Sequence, residues 1–174
     1  LITNVASDLR IAEQYLQRIM AQSSSDIQAI AGSVSFAQVR ENPAALERYL
    51  DEQRQRLGLD FLYHLTNAQS KATAKRWPVI ATAAAGGSQT SIDIFHAEDL
   101  KARSAALARQ ASLPLIATEA AVPTQRSTED RGMVVHSATA IKTHRQSGVL
   151  VGGTLLNRNL NFIDTINALV YRSK

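Results

Sequence analysis

Apolar residues near the start of the chain recur at helical spacing. Val5, Leu9, Ala12, Leu16 and Ile19 alternate steps of four and three, the seam of a coiled coil or bundle helix, and no strong breaker precedes Gly32. The seam then slips. Keeping its register would place Ser23 and Asp26 on it, whereas Ile27, Ile30 and Val34 lie about one position along, and residues 23–25 are all serine. The first seam is therefore expected to end near the serines. Residues before the slip would be available to a second subunit, while those after it pack on their own domain. A plain amphipathic helix lying along its own core fits the same pattern.

Punctuation is clearer further on. Asn42-Pro43 can cap and open a helix, so a second helix is expected over Pro43–Leu57, with Leu46, Tyr49, Leu50 and Leu57 inward and Gly58 as its left-handed stop. The period then changes to two. Leu59, Phe61, Tyr63 and Leu65 share one face of an expected strand that ends in a polar turn, Thr66–Ser70. Val79–Ala85 reads as a short helix ended by Gly86-Gly87. Thr90–Phe95 is a strand candidate with Ile92 and Ile94 on one face, and His96-Ala97-Glu98-Asp99 opens a helix expected to run to about Gln110. Pro114 and Pro123 bracket Leu115–Val122, an extended segment or weak strand. Gly132–Ile141 and Gly148–Leu156 are β-rich runs joined by the polar stretch Lys142–Ser147, a hairpin. Asn157 and Asn159 then lead into an amphipathic helix with Leu160, Ile163, Ile166 and Val170 on one face. The fold class expected is α+β with an antiparallel sheet. Gly152-Gly153 inside the last strand suits either a bulge or close approach by a ligand or another backbone.

Composition narrows the function classes. At 174 residues and 45% hydrophobic, the chain can bury a core and most simply forms one domain with a helical extension. It holds no apolar run of the ~18–20 residues a membrane-spanning helix needs. It begins in mid-helix at Leu1 and stops in a helix, so it reads as a module of a longer protein, and any membrane segment would lie outside it. With no cysteine, a disulfide framework, thiolate chemistry and cysteine-ligated metals are excluded. The net charge of +4 is spread among acids, which reads as solvated surface; with few aromatics and no basic stripe, no nucleic-acid partner is expected. His64, His96, His136 and His144 lack metal-ligand spacing, and the glycine pairs lack the Lys-Ser/Thr of a phosphate loop. Thr139 and Lys142 only loosely resemble a hydroxyl nucleophile with its base, since they end a strand pattern instead of opening a helix. No metal, cofactor or enzymatic activity is expected of the chain itself.

The long N-terminal helix followed by LDFLYHLTNAQS, SIDIFHAEDL, RSTEDRGMVVHSATAIK and GVLVGGTLLNRNLNFIDTI resembles the extracytoplasmic Cache (PAS-like) sensor domains of bacterial histidine kinases and chemoreceptors. Its most particular parts are Glu129–Val134 and Gly152–Asn159. The resemblance implies a single Cache-type domain: a long helix on a five- or six-stranded antiparallel sheet, a short C-terminal helix, and a ligand pocket on the sheet face. On that basis residues 1–57 form a signalling and dimerisation region, 58–159 the sensor sheet with helical insertions, and 160–174 the helix leading toward a transmembrane segment. It further implies an inner-membrane receptor with this domain periplasmic or extracellular, a homodimer through the N-terminal helix, and a histidine kinase or chemotaxis output elsewhere. A small-molecule ligand would be held by Tyr63, Arg76, Trp77, Thr118, Arg126 and His136. Arg76 adjoins Trp77, and Pro78 stands where amino-acid sensors of the family carry another aromatic. This departure turns the expectation toward a small organic acid gripped bidentately by Arg76. A structural or protein-interaction domain of the same fold that has lost its ligand is the competing reading.

Overall fold

The computed structural model describes residues 2–115, 127–141 and 148–171. Its elements in order are α1 (Ile2–Ala31), α2 (Val34–Val39), α3 (Pro43–Leu57), β1 (Phe61–Thr66), α4 (Asn67–Ala74), α5 (Pro78–Ala84), β2 (Ser88–Phe95), α6 (Ala97–Arg103), α7 (Ala105–Ala111), β3 (Leu113–Pro114), β4 (Thr128–Glu129), β5 (Gly132–Ile141), β6 (Gly148–Leu155) and α8 (Leu160–Tyr171). The fold is α+β, with a long N-terminal helix packed on a four-stranded antiparallel sheet of order β1-β6-β5-β2 and a short C-terminal helix. The larger sheet of five or six strands is not present among the described residues; β3 and β4 pair only with each other. None of the described helices is long and apolar enough to cross a membrane.

Local chemistry sets the element ends. Asn42 accepts the Ala45 amide, Pro43 opens α3, and Gly58 closes it at φ 65°. The amides of Gly58 and Leu59 return to the carbonyls of Gln55 and Arg54, a Schellman arrangement. That turn carries Leu59 onto the α3 side, so Leu59 does not share a face with Phe61, Tyr63 and Leu65 as alternation suggested. The first helix runs unbroken to Ala31, as the absence of a breaker before Gly32 suggested. Three further expectations change. Ser33 caps α2, which the pattern did not announce. Thr66 and Gln69 form a reciprocal capping box, so the expected polar turn is the start of α4. Ser104, extended at φ −165° and ψ 136°, breaks the expected helix after His96 into α6 and α7 and caps the second. The stretch Lys142–Ser147 and nearly all of Leu115–Val122 lie outside the described residues.

Two dry layers sandwich the sheet. On one face Ile27 and Ile30 of α1, Phe36 of α2 and Leu50 of α3 pack on Leu62, Leu150 and Ile141. On the other, Val79 and Ile80 of α5, Leu100 of α6 and Leu107 of α7 pack on Phe61, Phe95, Val134, Val149, Val151 and Leu155. β5 and β6 are buried almost throughout, as expected of strands covered on both sides. The slip in the α1 seam has a physical reason: Ser23 stays on the buried face, where its hydroxyl meets that of Ser137 on β5 at 2.9 Å, and Ser137 in turn meets Thr90 on β2 at 2.7 Å. The helix thus crosses the sheet on a hydroxyl contact before its apolar seam resumes at Ile27. Leu9, by contrast, is 69% exposed.

The paired glycines of β6 serve the two layers. A side chain at Gly152 would stand 2.6 Å from Ile27 Cδ1, and one at Gly153 would run into the Phe61 ring. Neither a bulge nor a ligand is needed to explain them, because each admits a close neighbour from an opposite face. Gly153→Ala is expected to cost about 1–3 kcal/mol and more than Gly152→Ala, since a rigid ring yields less than the end of an isoleucine. Urea unfolding checks this, with the Gly153→Ala, Phe61→Leu double variant losing less than the sum of the two single losses.

Candidate functional site

Strand alternation puts His136 on the face opposite Ser137. The imidazole is fully buried, and its Nδ1 lies 2.8 Å from Oδ2 of Asp93 on β2. The register places Ser91, not Asp93, directly across from His136, so the ring leans along the sheet to reach the carboxylate. Three aromatic rings surround it edge-on: Phe95 at 5.0 Å, Trp77 at 5.2 Å and Phe61 at 6.0 Å between centroids. Its other nitrogen, Nε2, is buried without a hydrogen-bond partner among the described residues. A polar atom left so costs about 1–3 kcal/mol, and in a native site such an atom calls for an explanation.

The rings form a row. Trp77 precedes Pro78 at the start of α5 and stacks on Phe95 at 4.4 Å. Phe61 reaches His136 because Gly153, the register partner of His136, has no side chain in the way. Tyr63, two residues along β1, continues the row at 6.0 Å from Phe61. Four of the six expected site residues, Tyr63, Arg76, Trp77 and His136, therefore belong to one neighbourhood. Thr118 and Arg126 lie outside the described residues. Arg76 sits over Trp77 at 5.4 Å, yet its guanidinium already holds Asp99 at 2.5 Å, so it binds a ligand carboxylate only by exchanging that partner.

Asp93, Phe61, Phe95, Asp99 and Arg103 were missed in the sequence. Ile92 and Ile94 do share a face, but Ile94 is 48% exposed while Phe95, on the other face, is buried. The alternating Ser91, Asp93 and Phe95 was the available signal, and it reads as an outward face until β5 supplies His136.

A second feature opens beside the row. A groove of about 700 Å³ runs along the outer edge of β1, lined by α3 residues from Pro43 to Arg54, by Asp60–His64, and by Ala102, Arg103 and Ser104 at the α6–α7 corner. Arg103 lies over the Tyr63 ring at 4.2 Å. Burial raises the Tyr63 hydroxyl pKa, partly offset by that guanidinium. Burial likewise raises the Asp60 carboxyl, against the Leu155 amide it accepts and the nearby Arg54. The His64 imidazole is held below its ordinary value, first by burial and then by Arg40. Among the described residues no group of three or more His, Asp or Glu is placed to hold a metal ion.

Two outcomes follow. A lowered folded-state pKa means the unfolded chain binds the His64 proton more readily, so stability falls as pH drops below about 6.5. Thermal melts from pH 7.5 to 5.5 are expected to show this fall, and His64→Gln to flatten it. Asp93→Ala should lose about 1–3 kcal/mol, because it leaves both ring nitrogens of His136 unpartnered. The Asp93→Ala, His136→Leu pair should regain most of that loss in urea unfolding, since no buried ring nitrogen is then left stranded.

Compared with known proteins, the chain matches no family model, no curated protein and no solved structure.

Proposed function

We propose that this chain is the extracytoplasmic ligand-binding sensor domain of a transmembrane signal-transduction receptor, of the single-Cache, PAS-like type. The receptor is most simply an inner-membrane histidine kinase, with the domain facing the periplasm or exterior and paired through α1 in a homodimer. One observation carries the reading. Adjacent residues of β5 point to opposite faces: His136 presents an unpartnered nitrogen to the aromatic row, and Ser137 is bonded to α1 through Ser23. A ligand that engages Nε2 moves the backbone next to the contact holding the signalling helix. Binding that favours one position of β5 thereby favours one position of α1.

The ligand class follows from the partner already present. With Nδ1–H donated to Asp93, the imidazole Nε2 accepts a hydrogen bond from the hydroxyl of a small organic acid, and the rings flank its carbon skeleton. A second reading has its own support, because the rings fill the space around His136 and the domain's own side chains pack that face of the sheet. A ligand-free interaction domain of the same fold would look so, although it would have no use for the stranded nitrogen. A chemoreceptor output fits the first reading as well as a kinase does.

Mono-, di- and tricarboxylates, amino acids and amines should separate these readings in a thermal-shift and calorimetric screen. The sensor reading expects at least one compound to raise the melting temperature with concentration, by about 2.7 kcal/mol of stabilisation at a hundredfold excess over Kd. His136→Leu should abolish the shift. Ser23→Ala should keep the binding and weaken ligand-induced displacement of α1, measured between spin labels on α1 and β2. A screen with no hit would favour the ligand-free reading, and a hit indifferent to His136→Leu would place the binding site away from the aromatic row.

A further inference from the structure

The main sheet has two edges, and they differ. β2 carries the acidic Asp93 turned onto a face of the sheet, and an inward-pointing residue of this type discourages a further strand. β1 reads Phe-Leu-Tyr-His-Leu-Thr, with no Lys, Glu, Asp or Pro, and among the described residues it pairs only with β6. Its outer edge is the floor of the 700 Å³ groove, with α3 standing on one side and the α6–α7 corner on the other. We propose that this edge takes up an extended peptide segment of a partner protein as an added fifth strand. In that mode main-chain hydrogen bonds supply affinity and alternate side-chain pockets supply selectivity. The proposal is independent of whether the aromatic row binds a small molecule.

The walls decide what kind of segment fits. Two sheets join edge to edge only where their outer strands can approach to about 4.8 Å. Here a second copy of the domain would bring α3 and the α6–α7 corner with its own β1, and the two recesses would face each other without contact. A single strand from a loop or terminus has no such walls. Six residues of β1 offer roughly 20 Å of edge, so the added segment is about that long.

The charges on the walls complete the description. On the α3 wall Arg54 is spent on Asp51 at 2.8 Å, which leaves exposed Glu47 without an ion-pair partner among the described residues. Leu46 and Leu50 line the groove beside it. On the opposite wall Arg103 lies over Tyr63, also without a carboxylate partner among the described residues. Successive side chains of an added strand point to opposite walls. The segment that fits therefore carries a basic and an acidic residue next to each other in sequence, flanked by β-branched apolar residues. The basic side chain meets Glu47, and the acidic one meets Arg103 bidentately.

A blocked hexapeptide, Thr-Val-Lys-Glu-Val-Thr, probes this by fluorescence anisotropy and NMR against the folded domain. Binding is expected below about 1 mM, with slowed amide exchange in β1. N-methylating every second amide should abolish binding in one phase and spare it in the other, because alternate amides face β1. Glu47→Lys should weaken the peptide about tenfold, through like charge at one wall, and a Glu-Glu version of the peptide should recover the loss. Arg103→Glu should mirror this with a Lys-Lys version. Absence of binding at about 1 mM overturns the proposal. Equal tolerance of both N-methylation phases also overturns it, since the groove would then hold side chains or a small molecule without a strand. A concentration-dependent dimer of the domain that the peptide dissociates would overturn the choice of partner, assigning the edge to a second copy.

Discussion

β5 and β6 are covered on both faces, and a strand in that position has no outlet to water. Every alternate side chain must suit the α1–α3 layer and every other one the α5–α7 layer. The two layers can close because Gly152 yields to Ile27 on one side and Gly153 to Phe61 on the other. Polar residues in these strands then need partners inside the protein. Ser137 has Ser23 and Thr90, and Thr139 has Ser88. His136 has Asp93 for one nitrogen and nothing described for the second. Against so consistent a pattern of satisfied groups, that atom marks the site.

Both terminal helices reach β5 by polar contacts. α1 is tied in its last third, where Ser23 meets Ser137. The approach to α8 is tied at the start of the strand: the Asn157 side chain accepts the Met133 amide and donates to the Arg131 carbonyl, while Gln110 donates to the Asn157 backbone. Arg158 follows with a left-handed φ of 51°, a conformation rarely adopted by a residue with a side chain. The short passage between sheet and last helix is thus a fixed corner. A displacement of β5 would be felt at both ends of the chain, which suits a domain proposed to relay a signal through its helices.

Much of the fold was legible because its determinants are local. Asn42, Pro43 and Gly58 announce α3 from its two ends, and the β-rich runs of β5 and β6 declare themselves by composition. What stayed hidden depends on partners far apart in sequence. Asp93 reads as a solvent-facing acid until β2 pairs with β5 and brings it to His136, forty-three positions on. Ser23 reads as the end of a helical seam until Ser137 faces it across 114 positions. Arg76 reads as a carboxylate grip until Asp99, which accepts the His96 amide in the first turn of α6, occupies it. Trp77 and Tyr63 could be named as candidates from type and place, whereas the row they form required Gly153 to let Phe61 through.

The enclosure of His136 also bears on how quickly anything could reach it. Its rings touch in the closed arrangement, with Trp77 stacked on Phe95, so a molecule bound at Nε2 must enter through a form in which that stack has parted. If the parted form is a minor fraction of the population, the apparent affinity is the intrinsic one scaled down by that fraction. Association would then level off at the rate of parting as concentration rises, in place of climbing linearly. The aromatic row would act as a clock as well as a lining, setting the shortest interval over which the domain can register a change in its surroundings.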